Sequence, residues 1–260
     1  MRQAQGGEYK ADLAQRKYEK RQKDKQKHIG FTLEIKQYVD EFLGKDFSPE
    51  QIAGRAKLEG RECVNTERVY QHVWKDKKEG GDLHTHLRNK GRRYRKRGNA
   101  KDSRGIIKDR VDISQRPEIV DRKERLGDLE IDTMIGQNHK GALLTINDRV
   151  SNKVMIEKLN GKDAKEFAGK VIERLSAYQE KVHTITSDNG KEFAEHKMIS
   201  SELKVDFFFA KPYHSWERGA NENINGLIRQ YFPKKTSFEN ISDDDVKRVE
   251  EILNNRPRKN

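Results

Sequence analysis

Leu129-Glu130-Ile131-Asp132-Thr133-Met134-Ile135 is the run whose reading decides the fold. It is rich in apolar residues and predicts a strand packed on a core. Side chains alternate across a strand, so Glu130 and Asp132, two residues apart, share one face. Downstream, Ala142–Asn147 predicts a second strand, bounded by Gly141 and Asp148-Arg149, and Lys153–Leu159 a third. Short turns would join these three as an antiparallel meander. Asp163–Leu175 predicts an amphipathic helix with Ala164, Phe167, Ala168, Val171, Ile172 and Leu175 inward. His183–Ser187 is a fourth strand, Glu192–Leu203 a helix and Asp206–Ala210 a fifth strand. Glu217–Tyr231 and Asp243–Asn254 are two more helices. This order predicts an α/β architecture: a mixed sheet with flanking helices over residues 126–260.

Upstream the character is different. Of 260 residues, 32% are hydrophobic and 38% charged, so one part buries a core and the rest is charged helix or linker. The net charge is +12, and it is uneven: residues 1–128 carry 33 Lys and Arg against 22 Asp and Glu, and residues 129–260 carry 22 against 21. A basic half joined to a near-neutral half suggests a polyanion-binding arm on a separate core. A solvated basic surface is the plain alternative, and charge alone also admits RNA or an acidic membrane surface. The single cysteine, Cys63, excludes a disulfide framework and a cysteine zinc site, and reads as a buried or incidental thiol. No apolar run is long enough to span a membrane and no signal peptide precedes the basic start, so the expected compartment is the cytoplasm.

Within the basic half, residues 1–30 predict a polar, basic helix (Glu8 to His28) with few apolar positions. Residues 31–75 predict three helices. The first runs from Thr32 to Leu43. Ser48-Pro49-Glu50-Gln51 starts the second, with a Ser cap, Pro at the first helical position and Gln three past the cap. Glu59-Gly60-Arg61 breaks it, and Asn65-Thr66 caps the third, Glu67–Trp74. The pattern suits a helix-turn-helix unit, with Thr66, Arg68, Gln71 and His72 available to a major groove. An ordinary three-helix packing unit is the other reading; the charge favours DNA. Residues 76–125 read as a basic linker. In it, Arg92, Arg93, Arg95, Lys96 and Arg97 surround Tyr94, a run suited to threading along a phosphate backbone; a solvated linker is the alternative. His84 and His86 lack neighbouring ligands and read as non-ligands.

Three carboxylates carry the chemistry. Asp132 lies mid-strand, Asp188 follows the fourth strand, and Glu222 falls early on the helix after Pro212; 33 residues separate the last two. Magnesium takes oxygen ligands and keeps several waters. Two such ions about 4 Å apart clamp the attacking and leaving oxygens of a phosphoryl transfer, provided carboxylates converge from different elements. The fourth strand lies beside the first in this order, which would let Asp132 and Asp188 share an ion. Each site has a competitor. Glu130 is a second-shell partner or an alternative ligand, with Asp128 next in its series. Glu192 suits capping better. Asp188-Asn189-Gly190 is also ordinary turn chemistry.

Gly127–Gly136, Thr186–Phe193 and Pro212–Arg229 resemble the corresponding motifs of the DDE transposases of bacterial insertion sequences, closest to the IS-thirty family, which has the same 33-residue spacing. The resemblance covers nearly the whole chain, most strongly residues 104–258. It implies a ribonuclease-H-like integrase catalytic core and an upstream all-α DNA-binding region. Asp132, Asp188 and Glu222 would be the catalytic and metal-binding triad for two ions, Mg²⁺ or Mn²⁺. Arg229, seven residues after Glu222, would contact DNA near the site. The implied partners are double-stranded DNA, both inverted-repeat ends and target, and further copies of the chain, in the bacterial cytoplasm with the nucleoid. The implied reaction is hydrolysis at transposon ends, then attack of the freed 3′-hydroxyl on target DNA, with no covalent enzyme intermediate. The chain departs from the family pattern at both ends: one helix-turn-helix unit expected before the basic helix is missing, and the segment expected after Arg258 is cut short. A truncated, non-catalytic DNA-binding derivative that represses its parent transposase is therefore a second reading. A ribonuclease-H-type nuclease without joining activity is a third, disfavoured by the basic half and the Pro212–Arg229 motif.

Overall fold

In the computed structural model, residues 11–23, 29–90, 107–161, 163–211 and 219–257 are described. Four helices come first: α1 (Ala11–Lys23), α2 (Leu33–Gly44), α3 (Pro49–Leu58) and α4 (Thr66–Lys78). Two expected caps form: Ser48 and Gln51 close a reciprocal capping box, and Asn65 accepts from the Arg68 amide. Thr32, expected as the first helical residue, instead caps α2, its hydroxyl accepting from the Ile35 amide. Val39, Leu43, Ile52, Ala56, Val69 and Val73 are fully buried among them. Each larger side chain in that set contributes about 1.5–3 kcal/mol of burial. Cys63 packs at the rim, and burial raises its thiol pKa.

The helical unit runs past residue 75, where a linker was expected. Leu83–His86 form a 3₁₀ turn, and Leu83 and Leu87 close the same core. Two isolated leucines in a charged stretch leave no periodicity to read. The end of the expected linker is also folded: β1 (Val111–Asp112) joins the sheet and α5 (Glu118–Arg122) follows, with Ile113 and Val120 buried.

The remaining strands are β2 (Asp128–Ile135), β3 (Ala142–Asp148), β4 (Val154–Leu159), β5 (Thr184–Ser187) and β6 (Asp206–Phe209). The sheet order is β1-β6-β5-β2-β3-β4. β2, β3 and β4 form the antiparallel meander, while β5 pairs parallel with β2 and with β6. Period two sorts the side chains. Leu129, Ile131, Leu144 and Ile146 face one side, under α6 (Ala164–Ser176) and α7 (His196–Leu203). Met134, Leu143, Val154 and Ile156 face the other, under α8 (Gly219–Tyr231) and α9 (Asp243–Asn254). This mixed sheet with helices on both faces is the ribonuclease-H-like fold expected. One helix is shorter than expected: Lys191–Phe193 is a separate 3₁₀ turn, and α7 begins only at His196.

Both sheet edges are occupied. β1 pairs along the outer side of β6. On β4, the Val154 amide donates to Asn254 Oδ1 at 2.9 Å and the Ile156 amide to Glu250 Oε2 at 2.7 Å. Asn254 Nδ2 donates back to the Val154 carbonyl at 2.8 Å.

Candidate active site

The site begins with register. Asp128 lies opposite Thr184 and Glu130 opposite Thr186 in the parallel pair β2–β5. The pairing ends there; carried two residues past its last pair, the register runs on toward Asp132 in β2 and Asp188, the residue after β5. By alternation all of these fall on the sheet face covered by α8, at the carboxyl end of β5, where open α/β sheets hold their ligands.

The three β2 carboxylates have different fates. Asp128 is buried, paired with Arg125 at 3.0 Å, and accepts from the Thr184 hydroxyl at 2.8 Å. Glu130 is 1% exposed, ion-paired with the buried Arg149, and accepts the Asn221 amide at 3.2 Å. Both are engaged in buried ion pairs that hold the fold. Asp132 is half-buried; its Oδ2 accepts from Asn225 Nδ2 at 2.7 Å and its Oδ1 from the Thr133 amide at 2.9 Å. Asn225 in turn accepts from the Thr145 hydroxyl at 3.2 Å. Asp188 makes the expected turn, with Oδ1 accepting the Gly190 amide at 2.7 Å. The turn role and a ligand role are compatible, because a carboxylate has two oxygens.

Glu222 is exposed in the first turn of α8. It stands one turn before Asn225, which touches Asp132, and next to Asn221, whose Nδ2 donates to the Ile131 carbonyl at 3.2 Å. The helix therefore brings Glu222 to the right end of the sheet. Among the described residues, however, no group of three or more His, Cys, Asp or Glu side chains is gathered closely enough to hold a metal ion. Glu192, the expected capping residue, is buried in its 3₁₀ turn.

The basic residues divide. Arg229, expected near DNA, is partly buried and packs within the core. Its guanidinium donates to the Ile135 carbonyl at 3.0 Å and lies over the Phe238 ring, 5.3 Å from its centroid. Burial lowers its pKa. Two turns of rise along α8 carry this position to the end of β2, where the side chain meets the Ile135 carbonyl. Arg68 and Gln71 are exposed on α4 and hydrogen-bonded to each other at 3.0 Å. Arg92, Arg93, Arg95, Lys96 and Arg97 lie outside the described residues, as does the 212–218 stretch. His86 pairs with Asp46 at 2.9 Å, a partner remote in sequence.

Sequence reasoning missed Asn221 and Asn225, which tie α8 to Glu130 and Asp132. Their signal was a pair of asparagines four apart, on one helical face, bracketing Glu222. It also missed Arg149 as the partner of Glu130. That pairing spans the β2–β3 turn and has no local signature.

Residues 123–215 match the integrase core domain family. The chain is 53% identical over 256 residues to the transposase for insertion sequence element IS4351 of Bacteroides fragilis, covering 98% of this chain and 78% of that one. It is 34% identical over 240 residues to transposase InsI for insertion sequence element IS30A of Escherichia coli K12, covering 88% of this chain and 62% of that one. Among solved structures, one of the simian T-cell lymphotropic virus intasome in complex with PP2A regulatory subunit B56 gamma aligns with 50% of this chain and 49% of that one, at a TM-score of 0.43 and 18% identity. Among the described residues, no helix is long and apolar enough to cross a membrane.

Proposed function

The chain belongs to the DDE transposases of bacterial insertion sequences, closest to the IS30 family, and on that premise we propose that Asp132, Asp188 and Glu222 are its catalytic carboxylates. The family is one of enzymes that bind and cleave nucleic acid. The proposed reaction is divalent-metal-dependent hydrolysis at the ends of the element, followed by attack of the freed 3′-hydroxyl on target DNA. The observation that supports the reading is the parallel pairing of β2 with β5, which bears Asp132 on one strand and leads into Asp188 just after the other, together with the Asn225–Asp132 hydrogen bond from the helix that bears Glu222. An all-oxygen donor set suits Mg²⁺ or Mn²⁺. Bound there, two such ions would activate the attacking oxygen and neutralise the leaving one. Asn225 holds one oxygen of Asp132 and so orients that carboxylate. Glu222 has to turn in from the surface toward the pair for all three to share the ions. Target DNA would approach over the start of α8, and two copies of the chain would pair the two ends.

The test is a strand-transfer assay on candidate inverted-repeat ends, with and without Mg²⁺. Asp188→Asn and Glu222→Gln should each lower cleavage by on the order of a hundredfold or more while DNA binding persists. Unchanged cleavage in either variant would refute the assignment. The repressor reading is not favoured, since identity to transposases runs through 98% of the chain, integrase core included.

A further inference from the structure

The helix that carries Glu222 is held from two sides. Toward the sheet, Ile224 and Ile228 are buried and Asn221 and Asn225 bind β2. On its other side it meets the N-terminal helical unit, across a cleft of about 910 Å³ whose lining includes Lys57, Arg88, Asn223 and Gln230. Three contacts bridge the two units along α8. At its end, the Tyr231 phenol faces Asp46. Before that, Gln230 Nε2 donates to the His86 carbonyl at 3.0 Å. At its start, Arg88 forks onto one residue: Nη1 donates to Asn223 Oδ1 at 2.6 Å and Nη2 to the Asn223 carbonyl at 3.1 Å.

Gly226 makes the fork possible. A Cβ there would stand 2.1 Å from Arg88 Nη2, so the guanidinium lies directly on the bare helix backbone. Gly226 does not have a positive φ, so its backbone does not require glycine. Glycine is also among the worst residues inside a helix. Its presence is explained by the arginine.

We propose that Arg88 is a positioning residue for the reaction: by gripping Asn223 over Gly226 it fixes the first turn of α8, and with it the adjacent Glu222. The helical unit thereby sets the geometry of the active site in the distant core. A bidentate guanidinium holds both position and rotation of what it binds, which a single hydrogen bond does not. Small displacements of a catalytic group are enough to cost large factors in rate. The inference rests on the proposed role of Glu222.

The experiment uses the full chain and compares Arg88→Ala, Gly226→Ala and Lys57→Ala with Glu222→Gln. Gly226→Ala is the sharpest variant. It dislodges only the flexible tip of Arg88 and improves the helix propensity of α8, so lost activity cannot come from a weakened helix. Arg88→Ala and Gly226→Ala should each lower the cleavage rate constant roughly tenfold to a hundredfold, with DNA affinity within about twofold of the parent. Hydrogen exchange at the amides of residues 220–224 should speed up in both, whatever the activity. Lys57→Ala, which removes a cation from the same cleft but leaves the fork, should do neither. Wild-type rates and exchange in Gly226→Ala would overturn the proposal. So would a loss in Arg88→Ala that tracks weakened DNA affinity, since that would make Arg88 a phosphate contact. If Glu222→Gln cleaves normally, the site assignment fails instead; if it is inactive while the Arg88 and Gly226 variants cleave normally, only the positioning role fails.

Discussion

Glu130 and Asp132 differ by one methylene and two positions, yet one is fully buried and the other only half-buried. The difference is in what faces them. Glu130 meets Arg149 in a buried pair, and Arg149 also donates to the Val120 carbonyl at 3.3 Å, tying α5 to the sheet. Asp132 meets an amide, Asn225, which orients a carboxylate without neutralising it. Removing one partner of a buried ion pair leaves the other charge uncompensated, at a cost of about 3–5 kcal/mol. Glu130→Gln should therefore lower folding stability by roughly that amount, read as a fall in the urea midpoint at unchanged slope. A shift too small to measure would mean that Asp121, 3.9 Å from Arg149, already balances the charge. At this scale the sequence marks candidate residues by spacing but cannot rank them, because the ranking depends on partners brought from elsewhere in the chain.

Elements were legible where their signals are local. α9 covers the expected Asp243–Asn254, and the meander follows from short turns between apolar runs. The Ser48 box marks the start of α3, with Oγ accepting the Gln51 amide at 3.2 Å and Gln51 Oε1 accepting the Ser48 amide at 2.9 Å. Ser48→Ala should cost about 1 kcal/mol, seen as a lower thermal midpoint, because it orphans a helix amide. Gln51 also donates to the Pro257 carbonyl at 3.0 Å, a contact the change leaves in place because the Ser48 backbone amide still holds Gln51 Oε1. A null effect would mean that water caps the helix equally well. β1 and α5 were not legible. Two residues of strand carry no period, and β1 exists only because β6 offers it an edge. Arg116 gave no warning either: it is buried against Thr186 and Asp121, a placement that a charged residue in a basic stretch does not announce.

For the molecule as a whole, the joint between helical unit and core carries its own pH signature. Burial pushes the phenol of Tyr231 up to about 12. The unfolded chain releases that proton near pH 10, so the folded form holds a proton the unfolded form has lost. The stability this provides is complete below about pH 10 and disappears as the pH climbs toward the folded value. Tyr231→Phe should accordingly show a shallower loss of stability than the parent between about pH 9 and 11, measured by denaturant titration. Parallel curves would place the ionisation elsewhere. The organisation of the chain as helices before sheet was plain from its charge and periodicity, whereas the joint was not, since its contacts run from His86 to Gln230 and from Gln51 to Pro257. The closure of the sheet edges matters here too. A row of unpaired strand amides invites another chain to add a strand, and that hazard grows when copies are crowded on one length of DNA. Asn254 and Glu250 occupy those amides on β4 with side chains, and β1 covers β6 with backbone. Strand addition is thus opposed on β4 at Val154 and Ile156, and on the other margin β1 already stands where an added strand would pair with Phe208 and Phe209.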